Sequence, residues 1–134
     1  MSRQIFVNLP VKDLSRSMTF FQQLGFGFEP RFTDKTAACV VVSDDIFVML
    51  VNEEKFAGFA PKPISDATKY TEVLLALSCE NRNKVDEYVH KAVAAGGSTY
   101  NEPQDYGFMY GHGFQDLDGH IWEVFHMDPN AKPA

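Results

Sequence analysis

The chain lacks any run of apolar residues long enough to span a membrane. Its first ten residues, MSRQIFVNLP, hold no apolar signal core. Both features predict a cytoplasmic protein with no membrane partner. Basic clusters are missing too. The net charge of −6 repels phosphate backbones and excludes nucleic acid as an expected partner. Cysteine is scarce: Cys39 and Cys79 are the 2 present, both in apolar runs. They read as buried reduced thiols, not as a disulfide framework. Low-complexity stretches are absent, so little disorder is expected. There is no phosphate loop, nucleophile elbow or zinc-finger spacing. The glycine-rich stretch Gly107 to Gly113 lacks the strand-to-helix context of a dinucleotide loop.

What is present suits a packed domain. The chain has 134 residues, 45% hydrophobic and 13% aromatic, enough for a core. Ile5 to Val11 alternates as a strand, with Ile5, Val7, Leu9 and Val11 on one face. Asp13 is a helix N-cap, Leu14, Met18, Phe21 and Leu24 keep helical spacing, and Gly25 ends the helix. Strands are expected over Gly27 to Phe32, Thr36 to Val42 and Ile46 to Val51, with a turn at Asp44-Asp45. Residues 52–70 read as a connection, with a short helical turn around Glu53 to Phe59. The pattern then restarts. Val73 to Cys79 is a strand, Asn81 caps a helix carrying Val85, Tyr88, Val89 and Ala92, and Gly96-Gly97 ends it. Ser98 to Gln104 is a further strand. A hairpin follows, turning at Asp118-Gly119, since Asp-Gly between apolar alternating runs is a strong hairpin signal.

The order strand, helix, strand, strand, strand therefore occurs twice, over 4–51 and 71–128. LPVKDL at Leu9 to Leu14 matches LSCENR at Leu77 to Arg82. DDIFVML at Asp44 to Leu50 matches DGHIWEV at Asp118 to Val124. Such an internal repeat predicts two structurally similar modules.

Paired modules of this order, the opening VNLPVKDLSRSMTFFQQLGF and the closing DLDGHIWEVFH resemble the vicinal oxygen chelate superfamily. That group includes glyoxalase I, bleomycin-resistance proteins, fosfomycin-resistance enzymes and extradiol dioxygenases. Leu117 stands where the family's turn usually has Pro. The resemblance implies an α+β fold of two tandem βαβββ modules whose curved mixed sheets cup a cleft, and a homodimer. In metal-binding relatives it implies two ligands per module, on the first and last strands. Those positions fall on Phe6, Met49, Leu74 and Glu123. Only Glu123 offers a hard donor, so the family's metal site is expected to be absent and no cofactor is assigned.

Side-chain alternation names the candidate lining. The faces with Leu9, Leu77, Trp122 and Val124 should pack on helices. The opposite faces carry Phe6, Asn8, Phe47, Met49, Leu74, Ala76, Ser78, Ile121, Glu123 and Phe125, an apolar surface with few polar groups, as small-molecule sites have. Glu123 is the one carboxylate there. It serves as a general base, as an anchor for a ligand, or as a structural group bonded to Asn8, Ser78 or a tyrosine. His90 and His120 are expected at the surface, and His126 on the side away from Glu123. His112, between two glycines, is either a cleft residue beside Glu123 or a structural one. Tyr106 and Tyr110 either supply hydroxyls to the cleft or cover its mouth. Three functions follow: a metal-independent glyoxalase-like protein with lyase- or isomerase-type proton transfer at Glu123; a drug-binding protein like the bleomycin-resistance proteins; or a metal-dependent glyoxalase or dioxygenase with relocated ligands.

Overall fold

The computed structural model describes residues 3–130. The chain divides into two compact units, Met1–Asp66 and Ala67–Ala134. In the first, β1 (Ile5–Val11) leads through Asp13 into α1 (Leu14–Gln23). The Asp13 carboxylate accepts from the Arg16 backbone N–H, which satisfies one of the free donors at the helix start. Gly25, at φ 103°, then takes the left-handed conformation that lets the chain leave the helix. Next come β2 (Gly27–Phe28), β3 (Ala37–Ser43), β4 (Ile46–Asn52) and α2 (Glu53–Phe59). The second unit holds β5 (Leu74–Ser78), α3 (Arg82–Ala94), β6 (Gln104–Asp105), β7 (Met109–Gln115) and β8 (Ile121–Met127).

Each unit builds one four-stranded sheet, ordered β1-β4-β3-β2 and β5-β8-β7-β6. First and last strands of a module pair in parallel, and the hairpin strands pair antiparallel. This is an α+β fold of two βαβββ modules. The repeat holds residue by residue: Phe6 sits beside Phe47 and Asn8 beside Met49, while Leu74 sits beside Ile121 and Ala76 beside Glu123. Between its first and last strands the second module is six residues longer.

The cores form where alternation placed them. Leu9, Val11, Val48 and Leu50 are buried with Phe20, Phe21 and Leu24 of the first helix segment. Trp122, Val124 and Phe114 are buried with Val85, Val89 and Ala92 of α3. Ile5 and its neighbour Ile46 are exceptions; they stay exposed at the end of the sheet.

Three strand expectations need correction, two of them through proline. The second strand stops at Phe28, because Pro30 opens a short 3-10 turn, Pro30–Phe32, capped by the Glu29 carboxylate. The expected strand from Ser98 to Gln104 is broken before Pro103, which has no N–H to give a ladder. Only a bridge at Ser98 and the two residues of β6 remain paired. At β5 the ladder covers Leu74 to Ser78 only, so Val73 falls outside it and stays exposed.

Candidate functional site

The two sheets differ on the faces turned away from their main helices. On the first, Phe6, Asn8, Phe47 and Met49 share a face. Phe6 stacks on Phe47 at 4.7 Å and meets the edge of Phe32 at 5.9 Å. The Arg31 guanidinium lies over the Phe32 ring at 5.2 Å. Asn8 donates its side-chain amide to the Phe6 carbonyl at 3.2 Å. Phe47 is buried, Met49 is half-buried, and Phe6 remains 37% exposed. These four residues are apolar or amide side chains and supply no acid or base themselves.

On the second sheet, Leu74, Ala76, Ser78, Ile121, Glu123 and Phe125 share a face through the pairing of β5 with β8. Leu74 is 54% exposed, and Ala76 and Ser78 are exposed as well. Glu123 and Phe125 are half-buried. Among the described residues no hydrogen bond ends on the Glu123 carboxylate, so within its own unit the anchoring bonds to Ser78 or a tyrosine are not made. Among the described residues no fully buried side-chain oxygen lacks a partner, so the unbonded Glu123 oxygens are not fully buried.

His112 is not beside Glu123. It pairs with Val124 across β7 and β8, which puts it on the helix-facing side. Its Nε2 lies 2.9 Å from the Asn101 carbonyl and 3.1 Å from the Thr99 hydroxyl. A carbonyl can only accept, so this nitrogen carries the proton and donates. The residue on Glu123's face is Gly113, its direct partner across the strands. A methyl group at Gly113 would collide with the Tyr100 ring and hydroxyl. Tyr100 therefore leans across the gap that the missing side chain leaves. Burial first, and the Glu123 charge second, push the Tyr100 phenol above its ordinary value. The pattern of small residues around His112 signals a close approach, but the group that approaches is Tyr100.

The remaining polar groups build structure. Asp116, at the head of the hairpin turn, is buried. Its carboxylate accepts from the Asp118 and His120 backbone N–H groups and from the Trp122 indole, each at 3.0 Å. Burial pushes its carboxyl up, against the pull of those donors and of His120. His120, expected at the surface, is buried beside this carboxylate, because Asp116 gathers the turn around itself. Tyr110 turns to the helix side and donates to Asp86 of α3 at 2.6 Å, under the Arg82 guanidinium. That bond raises its phenol to about 12. Tyr106 is exposed and bonds Gln104. His126 bonds the Cys79 carbonyl on the side away from Glu123, and His90 is exposed, both as expected. Cys39 is buried and Cys79 half-buried; both are free, and burial pushes both thiols up.

A metal finds poor donors at the positions the resemblance marks. The register confirms Phe6 with Leu74, and Met49 with Glu123, as equivalent places in the two sheets. A phenyl ring, an alkyl chain and a thioether offer a divalent ion no hard ligand, so these residues do not fit one. Among the described residues no group of three or more His, Cys, Asp or Glu gathers elsewhere.

Paired βαβββ modules with a Glu-bearing last strand define a class of proteins, and sequence comparison gives the family. The chain matches the Glyoxalase/Bleomycin resistance protein/Dioxygenase superfamily over residues 3–124, and it belongs to that family. A hypothetical protein from S. aureus is 30% identical, with 94% of this chain and 95% of that one aligned at a TM-score of 0.79. A glyoxalase/bleomycin resistance protein/dioxygenase family enzyme from Burkholderia phytofirmans PsJN is 17% identical, covering 94% and 99% at a TM-score of 0.77. A glyoxalase-related enzyme from Fulvimarina pelagi is 19% identical, covering 94% and 88% at 0.76. The last two share the fold. No curated protein matches the sequence. No described helix is long and apolar enough to cross a membrane.

Proposed function

We propose that this chain is a glyoxalase-like protein that takes a small organic molecule on the open face of its second sheet and uses Glu123 as general base. The observation that carries this reading is a half-buried carboxylate without a hydrogen-bond partner among the described residues, set in an apolar face. Such a group can take a proton from a carbon beside a carbonyl. The electron pair left behind moves to the carbonyl oxygen, and the proton returns from Glu123 to the isomerised product. No metal is used, because three of the four positions the family offers carry no suitable donor. The protein works in the cytoplasm as a homodimer, to be checked by light scattering.

The net charge of −6 and the stacked Phe6 and Phe47 rings support a second reading: sequestration of a flat, cationic compound. One experiment separates the two. A metabolite and drug panel is screened for binding by thermal shift, and each hit is followed for chemical change. Binding that survives in Glu123→Gln while turnover falls at least 100-fold supports the base. Hits that bind but never react, in either form, favour sequestration. Dialysis against a chelator should leave the activity intact; its loss would restore a metal-dependent mechanism.

A further inference from the structure

Tyr100, Gly113 and Glu123 lie in one row across the second sheet. The Ser98–Gln115 bridge sets residues 98–101 alongside β7, and Gly113 pairs directly with Glu123. Alternation then splits the segment. Thr99 and Asn101 turn to one side, where the Thr99 hydroxyl donates to the Gly113 carbonyl at 2.9 Å and His112 donates to the Asn101 carbonyl at 2.9 Å. Tyr100 turns to the other side and lies over Gly113. Its two neighbours are thus both fastened to β7, and the ring has a slot shaped for it. Among the described residues the Tyr100 hydroxyl, like the Glu123 carboxylate, makes no hydrogen bond. The residue remains 42% exposed.

We infer that Tyr100 and Glu123 form a donor–acceptor pair that binds a small neutral molecule in which a carbonyl oxygen sits next to a donor or acidic hydrogen, such as a hydroxamic acid or an enolisable carbonyl compound. The Tyr100 hydroxyl donates to the oxygen, and the Glu123 carboxylate takes the hydrogen. The inference rests on the reading of Glu123 as the reactive group and names its ligand class. At neutral pH the phenol stays protonated, since burial and the Glu123 charge both oppose its ionisation, so it is a donor. A carboxylate ligand is disfavoured, because Glu123 would repel it. His112, Thr99 and Gly113 act as positioning residues for Tyr100. The hydroxyl end of the ring is what fills the space over Gly113, and packing there uses its bulk but leaves its hydrogen without an acceptor among the described residues.

Acetohydroxamic acid, with acetate as the anionic control, is titrated into ¹⁵N-labelled full-length protein and followed by amide chemical shifts. The expected result is saturable shifts at Tyr100, Gly113 and Glu123 with the hydroxamic acid, and none with acetate. Tyr100→Phe keeps the ring over Gly113 and should weaken binding about tenfold, the loss of one good hydrogen bond. Gly113→Ala evicts the ring and should weaken it at least as much, with its amide spectrum reporting that it is folded. If Tyr100→Phe binds like the parent while Glu123→Gln does not, the pair is overturned and the Glu123 reading stands. If neither substitution changes binding, or no shifts occur, both fail.

Discussion

The two sheets share one topology and one register, yet they have divided the chemistry between them. Nine of the 12 phenylalanines lie in the first unit, while all 5 tyrosines, all 4 histidines and the single tryptophan lie in the second. At equivalent places, Met49 stands against Glu123, Cys39 against Gly113 and Val42 against Asp116. The first sheet fills these places with apolar side chains, and β3 is buried from Ala37 to Val40. The second opens a glycine gap, lays a phenol across it and leaves a carboxylate accessible. A duplicated scaffold thus lets one copy supply packing while the other carries polar groups that packing alone would disfavour.

Four changes would break or sharpen that contrast. The largest effect is on activity. Glu123→Gln should lower turnover at least 100-fold with little loss of stability, while Met49→Gln in the first sheet leaves the rate within a few-fold; rate measurements on both variants decide it. Next is the hairpin anchor. Asp116→Ala strips three N–H groups of their acceptor and should cost about 3 kcal/mol in urea unfolding. Val42→Ala, at the bulge in the first hairpin, should cost about 1 kcal/mol. If the two costs prove equal, the second turn is not organised by its acid.

Third comes the turn itself. Gly119 has φ 87°, and a methyl group there would meet the backbone of Ala67 and Thr68 at 2.9 Å. Gly119→Ala should therefore destabilise by about 2 kcal/mol. Asp45, its counterpart, has no positive φ, so Asp45→Ala should cost less than about 0.5 kcal/mol in the same denaturant series. The smallest effect is alkaline. Tyr110 is raised in the folded chain from an ordinary 10.0 to about 12. Its bond to Asp86 contributes fully below pH 10 and is lost as pH rises toward 12. Unfolding followed across that interval should show stability falling with pH, and Tyr110→Phe should flatten the fall.

Much of this was legible in the residue order. Helix starts at Asp13 and Asn81, the helix end at Gly25 and the hairpin at Gly119 were read from short-range signals. Each depends on one or two neighbouring residues. Local pattern and structure part where Pro30 and Pro103 cut otherwise strand-like runs. His112 was harder. Its neighbours are small, and nothing local says which way a glycine-flanked residue faces. Only its pairing with Val124 does.

Residue order alone therefore set the elements, the duplication, the family and the isolation of Glu123 among apolar neighbours, because period, caps and turn chemistry are local. Three-dimensional packing settled which side chain stands next to that carboxylate. Tyr100 reaches Gly113, the residue opposite Glu123 across the strands, from a separate segment fastened by bonds from Thr99 and His112, and contacts between distant segments leave no periodic trace in a sequence.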